Sequence, residues 1–133
     1  MEVFYLVVLG LSGLLLTFAG TVRLLRPIKS LCLQAFSEKH GNGLANDADM
    51  LSEMRGAGTF TLFAGLIILA GAVMPGVRLT SFVVGIVIFL GYAVGRSVSM
   101  VVDGKPNKDV VRGLFSEVLF GVLHIVCLVT LPT

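Results

Sequence analysis

Four apolar segments, each long enough to cross a bilayer as a helix, dominate this chain. Crossing roughly 30 Å of hydrocarbon takes about 20 helical residues, and the segments cover residues 3–25, 50–74, 79–102 and 110–131. The chain is 56% hydrophobic and 14% charged, with a mean hydropathy of +0.97. One soluble core cannot bury that much apolar surface. The sequence therefore predicts an all-α bundle of four transmembrane helices forming a single multi-pass membrane domain.

Prolines mark the ends of these segments. Pro27, Pro75, Pro106 and Pro132 follow the first, second, third and fourth segments in turn. Because proline interrupts the hydrogen bonding of a helix, none of the four spans is predicted to be broken in its middle. Such broken helices form the binding sites of many transporters, and the sequence shows no sign of them.

The connection over residues 27–46 is the longest between segments. Apolar residues such as Leu31, Leu33 and Phe36 favour a short helix lying in the membrane interface, with an irregular loop as the alternative. Asn46, followed by Asp47 and Asp49, is typical of a helix start, because an Asx side chain caps free N–H groups and acidic residues complement the helix dipole.

Lys and Arg residues lie almost entirely on one side of the threaded chain. Nine of the ten lie there, namely Arg23, Arg26, Lys29, Lys39, Arg55, Arg96, Lys105, Lys108 and Arg112, and only Arg78 lies opposite. Cytoplasmic loops carry the excess of Lys and Arg. We therefore expect the nine cations on the cytoplasmic side and both termini on the extracytoplasmic side. No positive charge precedes the first segment, so it does not resemble a cleaved secretory signal.

Two charged residues of opposite sign lie below the predicted interface. Arg96 is about one or two turns inside the third segment, and Glu117 is about two turns inside the fourth, so the two side chains can meet. Turning either one toward lipid costs several kcal/mol. Helical spacing places Tyr92, Ser99 and Asp103 on the face of Arg96 and places Gly113, Gly121 and His124 on the face of Glu117.

The second segment adds two further charges near the same level. Glu53 and Arg55 are two residues apart, so only one of them can face the bundle centre. The candidate site residues are therefore Glu53, Arg55, Arg96, Asp103, Glu117 and His124. Two interpretations remain open, a buried ion pair that sets the helix register and a site for a ligand or a proton.

No recognisable catalytic motif accompanies these residues. The sequence contains no glycine-rich phosphate loop, nucleophile elbow, CxxC or HExxH, so no catalytic residue is predicted. No cofactor and no metal is predicted either, since His124 has no second histidine nearby and no Cys or His pair has ligand spacing. Cys32 and Cys127 fall at different depths, so no disulfide is expected. The formal charge of +2 is too small to indicate nucleic acid.

Gly91-x-x-x-Gly95 in the third segment is typical of close helix packing. We interpret it as packing a helix within the bundle, with a homodimer contact as the alternative.

The polar residues occur in an ordered set. It comprises Glu53-x-Arg55-x-x-Gly58, Gly95-Arg96, Asp103-Gly104 and Glu117. This set resembles the signature of a family of small four-helix bacterial integral membrane proteins catalogued only as a domain of unknown function, and more distantly the DoxX-like proteins. The resemblance implies a bacterial cytoplasmic (inner) membrane protein and implies no activity.

These observations favour a non-catalytic membrane protein. We expect an accessory subunit, or a module that binds a small molecule or lipid, with Arg55, Arg96 and Glu117 at a polar site facing the cytoplasm. Its partners would be membrane lipids, other subunits of a membrane complex or further copies of the chain. The alternative is a proton-linked transporter or small membrane enzyme in which Glu117, aided by His124, transfers protons.

Overall fold

A computed structural model describes residues 1–29 and 47–132 of the chain. Within these residues lie four long α-helices, α1 (Glu2–Leu25), α2 (Ala48–Val73), α3 (Arg78–Val102) and α4 (Lys108–Thr130). Each is long and apolar enough to cross a membrane, which confirms the predicted four-helix architecture. The helices begin and end within two residues of the predicted spans. The predicted interfacial helix and Cys32 lie outside the described residues.

Asx residues begin two of the helices. Asp47 Oδ1 accepts hydrogen bonds from two backbone N–H groups in the first turn of α2, at 2.9 and 3.2 Å. Asn107 Oδ1 does the same for α4, at 3.0 and 3.1 Å. The second cap was not predicted, and it starts α4 two residues before the expected span. Both caps satisfy N–H groups that have no partner inside the helix.

Helices α1 and α2 pack through glycines. A Cβ atom on Gly65 would lie 2.6 Å from the backbone nitrogen of Thr17, and one on Gly58 would lie 2.8 Å from that of Leu24. These neighbours are backbone atoms of the facing helix, which cannot move aside as a flexible side chain would. Small residues therefore set the separation of α1 and α2, as is common between membrane helices.

Helices α3 and α4 pack by fitting side chains over glycines. The ring of His124 lies against Gly85, and the side chain of Leu90 lies over Gly121. Helix α3 also contacts α2, while α1 and α4 touch less extensively. The short connections make α2, α3 and α4 antiparallel neighbours in turn. Gly13 faces Leu69 while Gly58 faces Leu24, so α1 and α2 are antiparallel as well, and the chain runs up and down through the bundle.

The core lies between the four helices, and much of the outer surface is apolar. Tyr5 and Phe82 are fully buried with their ring centroids 5.6 Å apart, and the Tyr5 hydroxyl donates to the Thr130 carbonyl oxygen at 2.6 Å. In contrast, Phe18 is 71% and Val101 is 86% exposed. An apolar outer face suits a helix surrounded by lipid rather than water.

The two ends of the bundle carry different charges. We call them the Arg78 end, where α1 and α3 begin, and the Arg96 end, where α1 and α3 finish. At the Arg78 end, Arg78 Nη1 donates to both carboxylate oxygens of Glu2 at 2.8 and 2.7 Å, and Arg78 Nε donates to the Gly71 carbonyl at 3.3 Å. In the sequence, Arg78 lies between the second and third apolar segments. The structure places it at the start of α3 and buries it.

Candidate functional site

An ion pair joins α3 to α4 at the Arg96 end. Arg96 Nε donates to both carboxylate oxygens of Glu117, at 2.9 and 3.0 Å. Both side chains are largely buried, with 19% and 12% of their surfaces exposed. The structure thus brings together the two charges that the sequence placed at the same level, and a pair this sheltered from water is weakly screened.

Tyr92 lies beside this pair and contacts a second arginine. The guanidinium carbons of Arg23 and Arg96 each lie 5.7 Å from the centroid of the Tyr92 ring. At that distance a guanidinium is attracted by the quadrupole of an aromatic ring. The arginines come from α1 and α3, so one tyrosine ring joins cations from two helices.

A directed chain of hydrogen bonds runs from Arg23 across the bundle. Arg23 Nη1 lies 2.9 Å from the Tyr92 hydroxyl, which lies 3.0 Å from Thr61 Oγ1, which in turn donates to the Ala57 carbonyl at 2.8 Å. A guanidinium only donates and a carbonyl only accepts. Tyr92 therefore accepts from Arg23 and donates to Thr61. Each hydroxyl in the chain has a donor and an acceptor role, which holds the Arg23 head group in place.

We call these residues the Tyr92 cluster. It comprises Arg23, Thr61, Tyr92, Arg96 and Glu117, so all four helices contribute. Only Arg96 and Glu117 were predicted as site residues. The one available signal for Tyr92 was its position four residues before Arg96. Arg23 was interpreted as an orientation charge, because an arginine at the end of a span is the usual pattern of a cytoplasmic loop.

One wall of the cluster faces a groove between α2 and α3. The groove has a volume of about 530 Å³ and is lined by Arg23, Met54, Ala57, Phe60, Ile88, Gly91, Tyr92, Gly95, Arg96 and Ser99. We call it the Tyr92 groove. A smaller cavity of about 160 Å³ lies among residues of all four helices, and Arg23, Tyr92, Arg96 and Glu117 line it together with Leu16 and Phe89. Arg23, Tyr92 and Arg96 line both spaces.

The Tyr92 groove exists because Gly91 and Gly95 have no side chains. A Cβ atom on either glycine would meet nothing within 4 Å, and both residues are exposed. The prediction that they pack a helix within the bundle is therefore wrong. Sequence spacing identifies a strip of small residues, but the rotation of α3 in the bundle decides that this strip lines an opening.

Four predicted site residues lie outside the cluster, and three of them lie at the surface. Glu53 and Arg55 are exposed, and Arg55 Nη1 donates to the Leu24 carbonyl near the end of α1. A cation there satisfies a terminal carbonyl and complements the helix dipole. Asp103 accepts a hydrogen bond from Ser99 Oγ at 2.9 Å on the exposed surface of α3.

His124 is fully buried and belongs to the core. Its Nδ1 lies 2.8 Å from the Phe120 carbonyl, and its Nε2 lies 3.3 Å from Ser12 Oγ. Because a carbonyl only accepts, Nδ1 carries a proton. The ring also lies 5.6 Å from that of Phe89. These contacts join His124 to α1 and α3, whereas the predicted relay required a link to Glu117.

The described residues hold no evident metal site. Across residues 1–29 and 47–132, no three His, Cys, Asp or Glu side chains come together in a way that could bind an ion. The chemistry of the cluster is therefore that of guanidinium donors, one carboxylate and two hydroxyls beside an apolar groove.

The fold and the cluster define a small, multi-pass membrane protein of the four-helix class. The chain belongs to the family described as Domain of unknown function (DUF4345), whose family model matches residues 4–128. Comparison with curated proteins and with solved structures gives no match. The family match confirms the resemblance to a domain of unknown function, while the relation to DoxX-like proteins stays a prediction.

Proposed function

We propose that the protein is a non-catalytic membrane module, acting alone or as an accessory subunit, that binds a lipid or another amphipathic small molecule in the Tyr92 groove. The observation that carries this proposal is the juxtaposition of an apolar wall with guanidinium groups in one groove. An amphipathic molecule needs both kinds of surface.

The size and lining of the groove support this function. Ligand sites typically occupy about 300–1,000 Å³ and combine apolar walls with a few convergent polar groups, and this groove measures about 530 Å³. Met54, Phe60 and Ile88 supply the apolar wall, while Tyr92 and Arg96 supply polar groups.

The opening of the groove favours entry from the bilayer. Phe60 is 64% exposed, and Gly91 and Gly95 are exposed on the same side. These residues lie in helices that are apolar enough to cross a membrane, so an occupant could enter sideways from the lipid. The clustering of Lys and Arg at the Arg96 end orients the site toward the cytoplasm by the usual charge rule. In a bacterium this membrane would be the cytoplasmic one.

Filling the groove tests the proposal. Gly95→Leu adds a side chain where a Cβ atom meets nothing, so the bundle is expected to remain folded while the groove is blocked. The full chain would be extracted in mild detergent, and bound lipids or other small molecules would be measured by native mass spectrometry. We expect the wild-type protein to retain a bound amphiphile and Gly95→Leu to lose about tenfold or more of it. The same spectra would reveal any partner subunit.

A matched control comes from another open glycine. Gly10 in α1 also has nothing within 4 Å of an added Cβ atom and does not line the groove. Gly10→Leu should therefore retain the bound molecule at the wild-type level. Equal retention by Gly95→Leu and Gly10→Leu would show that the bound molecule does not occupy the Tyr92 groove, and the proposed function would fall.

A further inference from the structure

We infer that the Tyr92 groove selects an anionic phospholipid, whose phosphate is bound by Arg23. This inference rests on the proposed function and specifies the ligand of the same site. Its support is the charge of the cluster, the position of Arg23 and the arrangement of polar and apolar walls.

The cluster contains more positive than negative charge. Arg23 and Arg96 supply two guanidiniums, and Glu117 supplies one carboxylate, which bonds to Arg96. Among the described residues, no carboxylate lies within 4.0 Å of Arg23. Within residues 1–29 and 47–132, Arg23 donates its hydrogen bond to the hydroxyl of Tyr92. Glu117 interacts electrostatically with both arginines, so one carboxylate serves two guanidiniums, and a further anion beside Arg23 would be bound favourably.

One donor of Arg23 has no partner among the described residues. Its Nε is buried and has no hydrogen-bond partner within residues 1–29 and 47–132. The side chain lines the Tyr92 groove, and Tyr92 holds its Nη1 in position. A phosphate oxygen is a suitable acceptor, since guanidinium groups bind phosphate through short, charge-assisted hydrogen bonds.

The level of the cluster suits a phospholipid head group. Arg23 lies in the last turn of α1, and Arg96 lies six residues, or about 9 Å, before the end of α3. Long cationic side chains at such depths extend toward the interface. The phosphate of a lipid in the adjacent leaflet would therefore come within reach of Arg23, with an acyl chain lying along Phe60 and Ile88.

The excess charge favours an anionic lipid over a zwitterionic one. A phosphatidylcholine head group brings its own cation close to Arg23 and Arg96, whereas phosphatidylglycerol brings only the phosphate charge. Like charges in a weakly screened site repel. Selection between the two lipids should therefore come from the cluster and not from the apolar wall, which both lipids contact alike.

The experiment measures lipid selectivity directly. The full chain would be placed in vesicles containing equal amounts of phosphatidylglycerol and phosphatidylcholine with identical acyl chains. Lipids retained by the protein would then be counted by native mass spectrometry. We expect the wild-type protein to retain phosphatidylglycerol about tenfold over phosphatidylcholine, the scale of one charge-assisted contact. Equal retention of the two lipids overturns the inference without any variant.

Two arginine variants locate the selectivity. Arg23→Gln should reduce the preference for phosphatidylglycerol to near unity, while Arg26→Gln should keep it. Arg26 is a matched control because it is an exposed arginine in the same stretch of chain and does not line the groove. If both variants kept the preference, or both lost it equally, general attraction between surface cations and anionic lipid would explain the result and Arg23 would not be the site.

Gly95→Leu separates this inference from the proposed function. If it abolishes retention of both lipids while Arg23→Gln leaves selectivity unchanged, the groove binds lipid and only the role of Arg23 is wrong. If Gly95→Leu retains phosphatidylglycerol preferentially, the groove is not the site and both proposals fail. Should Arg23→Gln fail to fold, Tyr92→Phe tests the same contact, because it removes the hydroxyl that holds Arg23 Nη1. Unchanged phosphatidylglycerol selectivity in Tyr92→Phe would then overturn the role of Arg23.

Discussion

The two ends of the bundle each contain an arginine bonded to a glutamate, and their surroundings differ. At the Arg78 end, the arginine is buried and also donates to the Gly71 carbonyl, while Glu2 has 67% of its side chain exposed. At the Arg96 end, both partners are largely buried, and Tyr92 and a second arginine lie beside them. The first pair joins helix ends at a surface, and the second borders a groove.

The comparison separates structural charges from functional candidates. The Arg78 pair balances one cation with one anion and closes the start of α3 against α1. The Tyr92 cluster places two cations beside one anion, within the described residues. A balanced pair needs no ligand, whereas an excess of buried charge next to an open groove is a reason to expect one. The following predictions test this difference, from the largest expected effect to the smallest.

Removing the glutamate carboxylate should destabilise the protein far more at the Arg96 end than at the Arg78 end. Glu117→Gln leaves Arg96 in a sheltered site without its carboxylate partner, so we expect a loss of about 3 kcal/mol in the free energy of unfolding. Glu2→Gln acts on an exposed side chain and should cost less than about 1 kcal/mol. Unfolding by SDS titration in mixed micelles measures both.

A double variant sharpens that result. Combining Arg96→Gln with Glu117→Gln removes both charges. The double variant should therefore lose less free energy of unfolding than the sum of the losses in the two single variants. Equal losses for Glu2→Gln and Glu117→Gln would contradict the difference in environment between the two ends.

Adding one methyl group should distinguish the packed part of α3 from its open part. Gly85→Ala brings a Cβ atom into the buried ring of His124, and overpacking of this kind should destabilise the bundle by about 2 kcal/mol. Gly91→Ala meets nothing within 4 Å and should change the free energy by less than about 1 kcal/mol. The same SDS titration compares them, and similar losses would show that Gly91 is packed.

Removing the Tyr92 hydroxyl should loosen the head group of Arg23. Tyr92→Phe keeps the ring but deletes the acceptor of Arg23 and the donor to Thr61. We expect a loss of about 1–2 kcal/mol, because polar groups lose their partners in a partly buried site. Phosphatidylglycerol selectivity should fall as well. Tyr5→Phe is the comparison at the Arg78 end, where loss of the bond to Thr130 should lower stability without changing lipid selectivity.

Arg55 should behave as a structural residue of small effect. Its bond to the Leu24 carbonyl lies at the surface, so Arg55→Gln should cost less than about 1 kcal/mol. Lipid selectivity in the native mass spectra should remain at the wild-type value. A selective loss of phosphatidylglycerol in this variant would return Arg55 to the site where the sequence first placed it.

Local features of the chain made much of the fold predictable. Segment length and hydropathy located four helices to within two residues at each end. The group Asn46, Asp47 and Asp49 marked the start of α2, and the structure shows that Asp47 is the cap. The meeting of Arg96 and Glu117 was predictable too, because their depths follow from counting residues along rigid helices. Arg23 was predicted to be only an orientation charge, whereas it bonds to Tyr92 inside the bundle. An arginine at the end of an apolar segment has the same sequence pattern whether it faces solvent or a neighbouring helix.

The sequence by itself determined the number of helices, their bounds to within two residues and the depth at which Arg96 and Glu117 meet. Hydrophobicity, capping and helical rise act within a single segment and need no partner. Only the tertiary structure decided that Gly85 packs against His124 while Gly91 lines a groove, and that Arg23 joins Tyr92 while Arg55 leaves the site. These outcomes depend on how each helix is rotated about its axis and which helix lies next to it, and non-local packing sets both.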